Sequence, residues 1–461
     1  MKMNNDSESP QSPKLIRIPK WSDYSGILSL FLLFFLLWAI AYSIFGNEYV
    51  GVNSVILRLA VLFISAKLAG CLLGLIKIPP MIGMLLIGVL LRNVGFIEVV
   101  GEYTKFTSVL RQLALVNILL PAGLGLDANA LRQMGGMIVN LAIIPVAIEV
   151  AGIAVLTYIT LDFPWLWGFL LGLLLAAVSP AVIIPCLFEL QDLGYGVDKG
   201  IHTLVIAAST LNDILCIAIF GVLIGIIFST QSLLMQILYG PIIFAMGFAF
   251  GAALGFVCQH VPHKSETYLT TLRTLLLGLG CVLAALGSNA IGYMGAGPLG
   301  CMVAAFNPVR ANFVLLWKFF EPISFALIGI EVDFDILETK TVLWGLLVLA
   351  APLLLRIITS FITTQCSNLN VKEKIFVALS WIPKATVQAT LGPTALLLAR
   401  NLNDPVLEGY ANSVVIIAVI SIIITSPIGA ILIMQLGPRL LQRSKSNGYT
   451  NPAIDVLESE T

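Results

Sequence analysis

The feature that most limits this chain is a series of apolar runs, each about 20 residues long and separated by short polar breaks. Runs of that length match the hydrocarbon thickness of a bilayer, and they do not alternate with period 2 as barrel strands do. In lipid every backbone polar group needs an internal partner, so the spanning elements must be helices. Composition agrees. The 461 residues are 58% hydrophobic and 11% charged, and the mean hydropathy is +0.98. A soluble domain carries about 25% charged residues and has no way to bury this much apolar surface. The predicted class is therefore an all-α polytopic membrane protein.

About fourteen candidate spans can be placed. They lie approximately at 24–46, 54–75, 79–96, 108–123, 135–160, 165–190, 199–229, 232–259, 269–287, 290–306, 312–333, 341–365, 373–400 and 410–436. The predicted organisation is a disordered segment over 1–22, a transmembrane domain over 23–437 and a short tail over 438–461. The first run lacks a small-residue cleavage site and reads as a retained helix. With the N-terminus in the cytosol, Lys77, Arg132, Lys199, Lys264, Arg310, Lys372 and Lys374 fall on the cytosolic side, as do Arg439 and Arg443 after the last span. The loops at 333–340 and 401–408 fall opposite and are mainly acidic. Both termini are then cytosolic.

Several functions are disfavoured at once. The net charge is zero and there is no basic block suited to nucleic acid. The seven cysteines include no CxxC pair, and His260 and His263 share a loop without further ligand types, so neither a disulfide framework nor a metal centre is indicated. An intramembrane aspartyl protease needs two aspartates sharing one site, and only Asp213 lies deep in the membrane. No enzyme activity and no cofactor are called for.

Four ionisable residues lie near the middles of their spans, where a charge is costly and marks function by default. They are Glu149, Asp213, Arg356 and Lys384, two acids and two bases that can neutralise one another. Glu149 and Arg356 sit in otherwise smooth apolar helices and read as a buried brace. Asp213 differs, because Ser209, Thr210 and Asn212 surround it with the oxygens that a hard cation such as Na⁺ takes. Glu321, before Pro322, is also deep and stands as a cavity residue, a dimer contact or a regulatory site.

Two spans are interrupted by proline, one at Pro180 and Pro185 and the other at Pro383 and Pro393. Backbone groups freed in mid-membrane must line a cavity or pack in protein. One such span in each half is the pattern of a transporter with inverted repeats and a midplane site.

The stretches PPMIGMLLIGVLLRN (79–93), AGLGLD (122–127), AAVSPAVIIP (176–185), LNDIL (211–215) and WIPKATVQATLGP (381–393) resemble the cation/proton antiporter superfamily. Within it they are similar to the animal Na⁺/H⁺ antiporter branch, the sodium/hydrogen exchanger-like family 9B. The resemblance implies a homodimer in which a scaffold carries a mobile core with two crossed, partly unwound helices. It implies that Asp213 binds Na⁺, Li⁺ or a proton in competition, with Asn212, Ser179 and Thr210 around it. It places Ser179 and Pro180 at one crossover, Lys384 at the other as charge compensation for empty Asp213, and Glu149 and Arg356 as an ion pair across the core. Most members of the branch carry two adjacent acids where this chain has Asn212-Asp213, the form of the superfamily's electroneutral exchangers, so one proton per Na⁺ is expected. A plasma-membrane location is expected over an organelle. The alternative is a proton-coupled carrier of another ion, K⁺ or an anion such as Cl⁻, on the same architecture.

Overall fold

The computed structural model describes residues 54–444 apart from short stretches, the longest being 98–106, 121–127 and 305–309; before residue 54 it describes scattered positions only. The proposed disordered segment, most of the first span, the 122–127 motif and the tail beyond 444 lie outside the described residues. The chain forms two compact units, Met1–Ala60 and Val61–Thr461. In the first, Ser54 starts a helix by accepting a hydrogen bond from Leu57 N through its Oγ at 3.2 Å, a cap for one of the first-turn amides.

The described regular elements are helical. They are α1 (Val55–Leu75), α2 (Pro80–Asn93), α3 (Ala128–Leu161), α4 (Trp165–Ala176), α5 (Pro180–Asp192), α6 (Ile201–Ile227), α7 (Leu233–His260), α8 (Leu269–Ala290), α9 (Ala296–Ala304), α10 (Arg310–Gly329), α11 (Thr339–Thr363), α12 (Val371–Leu379), α13 (Thr386–Leu402) and α14 (Pro405–Leu440). Eight spans among the described residues are long and apolar enough to cross a membrane. The run predicted at 79–96 yields a helix of 14 residues, about 21 Å at 1.5 Å per residue and shorter than a bilayer core. The run at 290–306 yields only the nine residues of α9.

Proline sets the interruptions, but not every proline breaks its helix. Pro180 takes the first helical position of α5, where the missing N–H costs nothing, and it holds Ser179 extended at φ −91°, ψ 104°. Pro383 lies in the open segment between α12 and α13. Pro185 and Pro393, expected as breaks, lie inside α5 and α13. A proline within a helix forfeits one backbone bond and bends the axis, which tertiary packing can absorb. The breaks therefore fall at 177–179 and 380–385.

The interrupted span of α4 and α5 is the most enclosed of the long apolar spans. Its two half-helices pack against α3, α6 and α14. The two breaks meet: Ser179 N donates to Pro383 O at 3.0 Å, and Lys384 N donates to Thr425 Oγ1 of α14 at 3.0 Å. Gly429 of α14 permits this approach, since a Cβ there would lie 2.4 Å from Pro383 Cγ.

A second close approach joins α2 and α10. A Cβ on Gly329 would lie 2.2 Å from Leu85 O and 2.9 Å from Gly88 Cα. Both are backbone atoms and cannot swing away. Gly329→Ala is expected to lower stability by about 1–3 kcal/mol through overpacking. Gly135, with nothing within 4 Å of its Cβ position, supplies the control. Thermal melting in detergent should drop for Gly329→Ala and hold or rise for Gly135→Ala.

Candidate functional site

The break at 177–179 leaves α4 with the four orphan carbonyls of any helix end. Here all four are taken. Leu173 O accepts from Ala177 N at 3.3 Å and Leu174 O from Gln388 Nε2 at 2.7 Å. Leu175 O accepts from Lys384 Nζ. Ala176 O accepts from Arg356 Nη1 and, at 3.3 Å, from Asn212 Nδ2. Two buried cations thus sit on a helix C-terminus, the end whose dipole favours positive charge.

The same cations share one carboxylate. Arg356 Nη1 bonds Glu149 Oε2, and Lys384 Nζ lies 2.9 Å from Glu149 Oε1. All three side chains are buried. Glu149 comes from α3 and Arg356 from α11, which pack together, while Lys384 comes from the second break. The Arg356 guanidinium also lies 5.0 Å from the centroid of the buried Trp381 ring, a further stabilising contact for a desolvated cation.

Lys384 was expected to compensate the charge of Asp213. Lys384 binds Glu149 and forms no ion pair with Asp213 among the described residues. Lys384 Nζ is drawn instead to the end of α4 and to the carboxylate beside it, so Glu149 holds a two-cation cluster where a simple pair was expected.

Asp213 lies midway along α6 and is 6% exposed. Its Oδ1 accepts from Val178 N at 2.8 Å and from Asn212 Nδ2 at 3.0 Å. Among the described residues its Oδ2 takes no hydrogen bond. Asn212 joins this carboxylate to the cluster, since its Oδ1 accepts from Arg356 Nη2 at 3.2 Å. Its amide is oriented by both contacts.

A cavity of about 230 Å³ opens beside Asp213. Thr210, Thr386, Thr390 and Gln112 supply its other polar lining, and Ile214, Ile217, Val387 and Leu391 much of its apolar wall. It has room for a cation that keeps several waters. Thr210 Oγ1 donates to Ile206 O at 2.9 Å, which leaves its oxygen lone pairs available to a ligand. Among the described residues Ser179 makes no hydrogen bond to Asp213; its Oγ lies 3.4 Å from Thr386 Oγ1, where the breaks meet. Glu321 does not line the cavity. No group of His, Cys, Asp and Glu among the described residues has the arrangement of a metal centre.

Gln388, Trp381, Gln112 and Val178 take part without having been singled out from the sequence. Gln388 carried a signal: it is a lone amide in an otherwise apolar and threonine-rich turn of a broken membrane helix. The others carried none, because an aromatic ring, an interfacial amide and a backbone N–H are common in any such protein.

A family model for the transmembrane part of sodium/hydrogen exchangers matches residues 59–434. The chain is 42% identical over 426 residues to sodium/hydrogen exchanger 9B2 of Homo sapiens, covering 88% of this chain and 79% of the relative. It is 39% identical over 468 residues to sodium/hydrogen exchanger 9B1 of Homo sapiens, covering 97% and 90%. Among solved structures, the sodium proton antiporter MjNhaP1 from Methanocaldococcus jannaschii at pH 8 is similar in fold, with a TM-score of 0.64 at 19% identity over 84% of this chain and 98% of that one.

Proposed function

The chain belongs to the sodium/hydrogen exchanger family and is a multi-pass membrane antiporter of Na⁺ and H⁺, and from that premise we propose that Asp213 is the carboxylate that carries both ions in turn. One observation carries the assignment. Of the two buried mid-span acids, Glu149 is engaged by Arg356 and Lys384 at both oxygens, whereas Asp213 faces a cavity and its Oδ2 takes no hydrogen bond among the described residues. Only the second can take a ligand without first losing a partner.

Asp213 binds a proton or a cation, never both, because one carboxylate oxygen serves either. Thr210 and the cavity waters complete the oxygen shell of Na⁺ or Li⁺. Asn212 positions the carboxylate and adds no charge. Ser179, Pro180 and Pro383 keep the breaks open, and Glu149 with Arg356 and Lys384 holds the end of α4 through the cycle. Movement of the core against a scaffold then exposes Asp213 to alternate sides. With Lys384 held by Glu149, the transported charge is one proton against one Na⁺. A homodimer, cytosolic termini, a plasma-membrane location and a transmembrane domain over 23–437 complete this reading.

The test is dissipation of a pH gradient in proteoliposomes on adding Na⁺, Li⁺ or K⁺. The expected result is a Na⁺ and Li⁺ response whose rate does not change when a potassium diffusion potential is imposed. A rate that follows the imposed potential would remove the one-for-one exchange. A response to chloride alone would place the chain among carriers of another ion.

A further inference from the structure

Within the motif 381–393, Gln388 has no part in the exchange as described so far. It is buried, and its Nε2 donates twice, to Leu174 O at 2.7 Å and to Ala177 O at 2.9 Å. The second bond matters because of what lies on the other side of the same peptide. The carbonyl of Ala177 and the N–H of Val178 belong to one planar unit. That N–H donates to Asp213 Oδ1 at 2.8 Å. A side chain of the second break therefore grips one end of a rigid plane whose other end holds the proposed ion-carrying carboxylate.

We propose that Gln388 is a positioning residue for ion exchange, acting on Asp213 through the Ala177–Val178 peptide. The peptide lies in the break, outside any helical ladder, with Ala177 extended at φ −63°, ψ 135°. Nothing in a regular helix dictates its tilt. The Gln388 bond fixes the carbonyl direction, and planarity then aims the N–H at Asp213. Hydrogen bonds in series also polarise one another, so a donor on the carbonyl strengthens the N–H as a donor. The arrangement ties the two breaks to the carboxylate as one unit, which a core that moves as a rigid body requires.

The consequence is a shift in the competition between proton and cation. A hydrogen bond to the ionised carboxylate favours the ionised form. Without Gln388 the Val178 N–H is no longer held on Oδ1, and a proton competes better with Na⁺. The other groups facing Asp213 stay in place: Arg356 from α11, Lys384 from the second break with Glu149 of α3 behind it, and Cys216 one turn along α6.

The inference rests on Asp213 as the ion-carrying carboxylate, so Asp213→Asn is assayed beside it. Gln388→Met keeps the side chain's length and volume and removes both donors. The expected result is half-maximal exchange moved to higher pH by about one unit, and an apparent KM for Na⁺ raised about tenfold near neutral pH, the scale of one bond to a charged group. At alkaline pH and saturating Na⁺ the turnover converges on wild type. A pH profile and KM equal to wild type, with only abundance or melting temperature lowered, would reduce Gln388 to a structural cap. Should Gln388→Met fail to insert, Gln388→His retains one N–H donor and is expected to give an intermediate shift; a wild-type profile there overturns the proposal equally. Exchange surviving in Asp213→Asn overturns the site assignment itself, a separate outcome from an unshifted Gln388 variant.

Discussion

Asp213→Asn is expected to abolish sodium-driven proton movement in proteoliposomes while leaving the protein folded and inserted. Asparagine has nearly the same shape, and its amide oxygen can still accept from Val178 N and Asn212 Nδ2, the two bonds that Oδ1 takes in the native chain. What it loses is the negative charge and the ability to hold a proton. Both halves of the exchange cycle need those properties at the same atom, so neither Na⁺ uptake nor proton return survives. The cavity beside Asp213 lets water reach the altered residue, which limits the cost of leaving the buried cations in excess. The measurement is the rate of pH-gradient collapse on adding Na⁺ or Li⁺, with the melting temperature of the purified variant as the control for folding. Sodium-driven collapse at the native rate would end the case for Asp213.

Glu149→Gln is expected to act on stability more than any other single change in the core. Glu149 is the carboxylate partner of both Arg356 and Lys384, in a site where all three side chains are buried. Removing one member of a buried ion pair leaves an uncompensated charge and typically costs roughly 3–5 kcal/mol. Here two cations would face each other across a neutral amide. A variant that also carries Arg356→Gln discards one of those charges and should regain part of the loss. The single and double variants are compared by thermal melting in detergent and by the fraction that stays monodisperse after heating. Two outcomes would show that the cluster is not a brace: a Glu149→Gln protein that melts with wild type, or a double variant that melts below the single one by the full cost of a second independent loss.

Much of this molecule could be read from residue order. Runs of apolar residues at bilayer length require helices, because lipid offers no partner to an unpaired backbone group. Four mid-span charges could be listed as the residues to explain, since each is expensive where it stands. Asp213 could be separated from Glu149 by its company, as hydroxyl and amide side chains flank the first and only aliphatic ones the second. Pro180 and Pro383 could be marked as places where a helix stops. Less could be read about which of two nearby prolines does the stopping. Pro180 and Pro185 look alike in sequence, yet only the first sits at a helix start. A proline constrains the residue before it and removes one donor, but packing decides whether the helix bends around that defect or ends there.

Most of the partners beyond the Glu149–Arg356 pair were hidden from the sequence. A buried charge announces that it needs compensation and does not say where compensation comes from. Lys384 was expected to offset the charge of Asp213, and which carboxylate it would touch was not legible; its Nζ bonds Leu175 O at the end of α4 and lies 2.9 Å from Glu149 Oε1. The role of Gln388 could not be read at all, since it depends on a carbonyl and an N–H of one peptide pointing to opposite partners. The sequence by itself determined the helical class, the residues too costly to be incidental and the two places where the backbone had to open. Those follow from local chemistry and from the solvent around the chain. Tertiary structure alone decided that Lys384 shares Glu149 with Arg356 and that Gln388 reaches the Ala177 carbonyl, because those are questions of distance between helices far apart in the chain.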